Sequence, residues 1–116
     1  MYELVICSHD GTVLKRFDLA RVEAARKRVI IGRAEDCDIR INAQSVSRHH
    51  VAIEPDDGDW IVRDLGSTVG TLVEGVKIEQ ADVRDGLAVQ IGPALLKFKA
   101  DVAAGIAGQI ARELGE

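Results

Sequence analysis

The chain has 116 residues, 47% of them apolar and 29% charged, which is the size and balance of one globular domain. Residues 1–50 carry nine Lys+Arg against seven Asp+Glu and residues 51–116 carry six against twelve, giving a net charge of −4. That acidic total, with Tyr2, Phe17, Trp60 and Phe98 as the only aromatics, excludes a general nucleic-acid binder or base-stacking platform, and no run of about 18 apolar residues exists to form a transmembrane helix.

In chain order, Tyr2 to Cys7 reads as a buried strand, followed by a hairpin turn at Ser8-His9-Asp10-Gly11. Thr12 to Asp18 returns with Val13 and Phe17 on one face and Leu14 on the other. Ala20 to Lys27 holds good helix formers and no turn residue, so a short helical insert is expected there; its basic residues fit equally a solvated face. Arg28 to Ile31 is a β-branched run ending at Gly32, and Asp38 to Ile41 alternates so that both isoleucines share a face. His50 to Glu54 is a strand expected to break at Pro55-Asp56-Asp57-Gly58, and Trp60 to Asp64 resumes it. Thr71 to Val73, Val76 to Ile78, Leu87 to Ile91 and Leu95 to Lys99 complete about ten short strands, the spacing of an all-β sandwich or barrel. Beyond about residue 100, Val102, Ile106, Ile110 and Leu114 recur every four residues, one stripe of a helix that Gly105 and Gly108 weaken. Residues 1–100 thus read as one β-sandwich domain and 101–116 as a C-terminal helical extension; whether it docks, tethers or binds a partner stays open.

The Met1 end lacks the charged-then-apolar pattern of a signal peptide, so the expected address is the cytoplasm. Cys7 and Cys37 form neither a disulfide framework nor a zinc spacing and are expected as two buried apolar thiols. His49 and His50 are adjacent in an extended segment and point to opposite faces, so they do not share a metal, and no metal or cofactor site is expected.

Four loops carry chemistry: Gly32-Arg33, Ser47-Arg48-His49-His50, Gly66-Ser67-Thr68-Val69-Gly70-Thr71, and Asp85-Gly86. They offer guanidiniums that fork phosphate oxygens, hydroxyls that donate to those left over, and glycines that let amides approach a ligand. A Ser47–His50–Asp64 hydrolase is conceivable on residue types alone, but nothing marks a nucleophile elbow or an oxyanion hole.

The segments I-G-R (31–33), D-I-R-I (38–41), V-S-R-H-H-V-A-I (46–53), D-L-G-S-T-V-G-T (64–71) and D-G-L-A-V-Q-I-G (85–92), in that order, closely resemble the forkhead-associated (FHA) domain family. The resemblance spans about residues 2–100. It implies an FHA/SMAD-like β-sandwich of about eleven mostly antiparallel strands, without catalytic activity, that binds a phosphothreonine peptide at loops along one end. The implied partner is a phosphothreonine-containing protein marked by a Ser/Thr kinase, with no nucleic acid and no membrane. Carried across, Arg33 is the guanidinium on the phosphate, Ser47 a donating hydroxyl, Arg48 a cation on the rim, and Thr68 a further hydroxyl or amide contact. Val69 and Gly70 form the peptide-contact loop, while Gly32, His50 and Asp64 are structural supports, His50 bracing the loops from inside.

The departure is Val69, where the family usually has an Asn that hydrogen-bonds the peptide backbone. Val neither donates nor accepts, and its β-branch disfavours a positive φ. Glu74-Gly75 similarly replaces a common Asn-Gly. The competing expectation from Val69 is a phosphorylation-independent scaffold or oligomerisation domain of the same fold.

Overall fold

The alternating apolar runs become strands wherever a neighbour completes their backbone hydrogen bonds. The computed structural model describes residues 2–20 and 28–100. These form β1 (Tyr2–Ser8), β2 (Val13–Asp18), β3 (Val29–Gly32), β4 (Ile39–Arg40), β5 (Val51–Asp56), β6 (Asp59–Asp64), β7 (Thr71–Val73), β8 (Val76–Lys77), β9 (Gln80–Asp82), β10 (Ala88–Ile91) and β11 (Ala94–Ala100). One sheet runs β2-β1-β11-β10-β7-β8 and the other β4-β3-β5-β6-β9. The short β3–β4 pair is parallel, Gly32 lying opposite Arg40, and the remaining described pairs are antiparallel. The fold is an all-β sandwich. The expected helical insert at 20–27 falls, apart from Ala20, outside the described residues, and so does the expected helix at 101–116.

Leu4, Ile6, Val89, Ile91, Leu96 and Phe98 of one sheet close against Val29, Ile31, Val51, Ile53, Trp60 and Val62 of the other, all essentially buried. Burying a side chain of this kind stabilises by about 1.5–3 kcal/mol, so this layer anchors both sheets and leaves their connecting loops free to vary. β1 is apolar on both faces, with Leu4, Val5, Ile6 and Cys7 all buried, as its unbroken apolar run implies.

Three expectations need correction. The break at Pro55 does not occur: β5 continues to Asp56, with Pro55 opposite Trp60. β3 pairs only with Val51–Ile53, so the missing Pro55 N–H interrupts no ladder on that side. The chain turns instead at Asp57-Gly58, both at positive φ (52° and 85°), the geometry of a type I′ hairpin. β9 is an additional strand without an apolar alternation, paired with β6 through Ile61↔Asp82 and Arg63↔Gln80. Cys37 is half-buried rather than buried, and its Sγ donates to the Arg48 carbonyl at 3.1 Å; Cys7 is buried, and both thiols are free.

Candidate functional site

Gly32 ends β3 where the β4–β5 connection crosses it closely. A Cβ on Gly32 would stand 2.2 Å from the Arg48 carbonyl oxygen and 2.9 Å from that of Ser47, so no side chain fits without moving backbone. This approach lets Arg33 N–H donate to Ser47 O at 2.9 Å and Ala34 N–H to Arg48 O at 3.0 Å. Two loops that are remote in sequence are thereby clipped together.

Arg33 is half-buried, and its Nε donates to the Val46 carbonyl at 2.9 Å. That bond fixes the guanidinium plane and leaves the two terminal amino groups without a partner among the described residues. Ser47 Oγ accepts the Thr68 N–H at 2.9 Å, tying the β4–β5 loop to the β6–β7 loop. The Ser47 hydroxyl proton is left to donate elsewhere. Because the Thr68 amide is engaged, the hydroxyl of the exposed Thr68 is its group left open to solvent. Arg48 projects an exposed side chain from the same loop. Arg33, Ser47, Arg48 and Thr68 are therefore on three loops joined by direct hydrogen bonds at one end of the sandwich.

His50 is fully buried beneath these loops. Its Nδ1 accepts Ser47 N–H at 3.1 Å, which leaves Nε2 as the protonated nitrogen donating to Gly70 O at 3.0 Å. Its backbone is also engaged, N–H to Ile31 O and C=O from Leu65 N–H, both 2.9 Å. Burial holds the imidazole below its ordinary pKa, only partly offset by the Gly70 bond and the Asp64 charge. The ring is a neutral strut between the Ser47 and Gly70 loops.

Asp64 organises the β6–β7 loop from its other side. One carboxylate oxygen accepts Gly66 N–H at 2.9 Å and Ser67 N–H at 3.1 Å; the other accepts the Ser67 hydroxyl and, at 2.7 Å, that of buried Thr71. Burial alone would raise the Asp64 pKa, but these hydrogen bonds together hold it below the usual carboxylate range. The residues of the conceivable hydrolase are thus committed elsewhere. Ser47 meets His50 through its amide and not its Oγ, and Asp64 is satisfied within its own loop. These three residues assemble no nucleophile–base relay.

Val69 is 45% exposed. The expected conflict between its β-branch and a positive φ does not arise, because the left-handed residues of this loop are Gly66 (79°) and Gly70 (96°). Two further cations lie beside the site, Arg40 from the D-I-R-I segment and Lys77 from outside the quoted segments. Arg40 Nε donates to the Arg33 backbone carbonyl at 2.8 Å, which brings a third guanidinium against the loop that bears Arg33. Lys77 on β8 lays its aliphatic stem across Gly70, where an added Cβ would meet its Cε at 2.7 Å. Both were outward positions in short strands, and only the β3–β4 register and the β7–β8 hairpin bring them here.

Comparison with known proteins gives a consistent picture. The sequence model described as the FHA domain matches residues 29–92, more than half of the chain. The FHA domain-containing protein FhaB of Mycolicibacterium smegmatis is 32% identical over 80 residues, covering 68% of this chain and 52% of that protein. The chain therefore spans about half the length of that curated relative. A crystal structure of the FHA domain of a Chlamydia trachomatis protein superposes with a TM-score of 0.66 at 27% identity, covering 84% of this chain and 95% of that one. A structure described as a structural and functional analysis of phosphothreonine-dependent FHA domain interactions matches with a TM-score of 0.67 at 24% identity, covering 84% and 94%.

Proposed function

The chain belongs to the FHA domain family, and from that premise we propose that it is a non-catalytic reader of phosphothreonine in a protein partner. The observation that carries this reading is the Thr68 N–H to Ser47 Oγ bond, made beside an Arg33 guanidinium pinned on Val46 O. It holds a fork and two hydroxyls in place before a ligand arrives, which lowers the ordering cost of binding. In this reading the terminal amino groups of Arg33 fork two phosphate oxygens. Ser47 donates its hydroxyl proton, Thr68 adds a second hydroxyl, and Arg48 supplies charge at the rim. Val69 and Gly70 border the peptide, and Val69 leaves its backbone one hydrogen bond short. The phosphothreonine-dependent interactions of the solved relative support the choice of ligand.

A contact on the threonine methyl is worth about 1–3 kcal/mol, so phosphoserine binds more weakly by roughly 10- to 200-fold. The partner is marked by a Ser/Thr kinase, and the two free thiols fit a reducing compartment such as the cytoplasm. Among the described residues no helix is long and apolar enough to cross a membrane.

Calorimetry against a degenerate phosphothreonine peptide library, with phosphoserine and unphosphorylated versions as controls, tests the proposal. Binding that requires the phosphate and prefers threonine is expected. Binding of an unphosphorylated natural partner, with none to any phosphopeptide, overturns it in favour of the phosphorylation-independent scaffold.

A further inference from the structure

Beside the phosphate-facing groups, but outside them, three donor side chains of different chemistry converge. Asp36 and Cys37 lie in the β3–β4 loop and His49 in the β4–β5 loop. A carboxylate oxygen, the thiol sulfur and an imidazole nitrogen all lie within 4.8 Å of one another. His49 Nε2 is 3.0 Å and 3.1 Å from the two Asp36 oxygens.

We propose that Asp36, Cys37 and His49 form a binding site for a divalent transition-metal cation of the zinc class, with water in the fourth position. The site stands independently of the phosphothreonine reading.

The donor set argues for this cation. Sulfur, imidazole nitrogen and carboxylate oxygen together are zinc ligands, and a thiolate discriminates against magnesium and calcium. Zinc bonds of about 2.0–2.3 Å at tetrahedral angles put neighbouring ligand atoms roughly 3.3–3.7 Å apart. The cluster is therefore within about 1.5 Å of the required spacing without a metal.

The backbone beneath it is already held. Ala34 N–H donates to Arg48 O at 3.0 Å and Cys37 N–H to Ala34 O at 3.2 Å. Little loop ordering remains to be done on binding. The His49 and Asp36 side chains are 46% and 73% exposed, so a hydrated ion reaches them from solvent. Glu35 and Asp38 stand on either side of the Asp36-Cys37 pair in sequence and add acidic charge to this loop.

Without a metal the three groups are held by the Asp36–His49 contact and by the Cys37 thiol's hydrogen bond to Arg48 O, which leaves the sulfur beside the other two donors. Cys37 is the group that changes state. In the metal-free chain its thiol donates to Arg48 O at 3.1 Å. On metal binding the S–H proton leaves to solvent and a sulfur–metal bond replaces the hydrogen bond. Arg48 O keeps the Ala34 N–H. His49 ligates through Nε2 and carries its proton on Nδ1. The metal then bridges the loop that bears Arg33 to the loop that bears Ser47 and Arg48.

The test is titration of the full chain with Co²⁺ alone, followed by absorption. The expected result is a thiolate-to-cobalt charge-transfer band with four-coordinate d–d bands, saturating at one metal per chain and displaced by Zn²⁺. Cys37→Ser should abolish the charge-transfer band, and exposed His49→Gln should weaken Co²⁺ binding by at least about tenfold. Absence of the band in excess Co²⁺ overturns the site. So does a band that survives Cys37→Ser, since the sulfur would then be Cys7, or a stoichiometry of two chains per metal. If Cys37→Ser fails to fold, His49→Gln decides: unchanged affinity in that variant refutes the site.

Discussion

Replacing His50 by Ala removes a ring that satisfies two loops at once. Ser47 N–H loses its acceptor at 3.1 Å and Gly70 O its donor at 3.0 Å, beneath a surface where the imidazole has no exposure. Each buried group left unpaired costs about 1–3 kcal/mol, and the vacated volume adds to it. The expected loss is therefore at least about 2–6 kcal/mol, a fall in melting temperature of roughly 8 °C or more. The wild type should also show a pH dependence that the variant lacks. The folded His50 pKa lies below the unfolded value of about 6.5, so its contribution is complete above that pH and is lost as pH falls through the folded pKa. The structural reason is direct: protonation puts a hydrogen on Nδ1, where Ser47 N–H already points. Thermal melts of His50→Ala and Arg48→Ala from neutral to mildly acidic pH provide the assay. Arg48 is exposed, and its alanine variant should melt near wild type. A His50→Ala protein with unchanged melting temperature, or an Arg48→Ala protein that is the less stable of the two, would refute the assignment of His50 as the strut.

Arg33→Ala should lower phosphopeptide affinity at least about tenfold by calorimetry. The lost Nε–Val46 O bond should cost only about 0.5–1.5 kcal/mol of stability. Val69→Asn should raise affinity by about 2- to 12-fold through one added hydrogen bond to the peptide backbone. Because Val69 is outside the positive-φ region, the melting temperature should barely move; equal affinities in a parallel titration would contradict this. Gly32→Ala should cost at least about 3 kcal/mol, since its Cβ would meet backbone oxygen at 2.2 Å; a near-native denaturant midpoint would show that the two loops separate easily.

Strand existence was legible in the sequence because burial on one or two faces imposes a local pattern. Val29 to Ile31 and Ile39 to Ile41 carry it within a few residues, and both put isoleucine into the core. β9 was not legible, since Gln80-Ala81-Asp82 carries no apolar alternation and is a strand only because β6 offers it a ladder. Pro55 misled for the related reason that its tolerance depends on where β3 stops, a fact about another segment. The candidate site divides in the same way. The order of Gly32-Arg33, Ser47-Arg48 and the 64–71 loop was readable as a pattern of residue types. Which atoms those residues commit to one another was not. Ser47 Oγ on the Thr68 amide, His50 between Ser47 and Gly70, and the meeting of Asp36, Cys37 and His49 join residues from different loops, and Arg40 on Arg33 O joins a strand to a loop. Sequence determines local propensity and the chemistry available at each position. Contacts between distant loops are set by how the two sheets register and pack, and only the folded chain decides them.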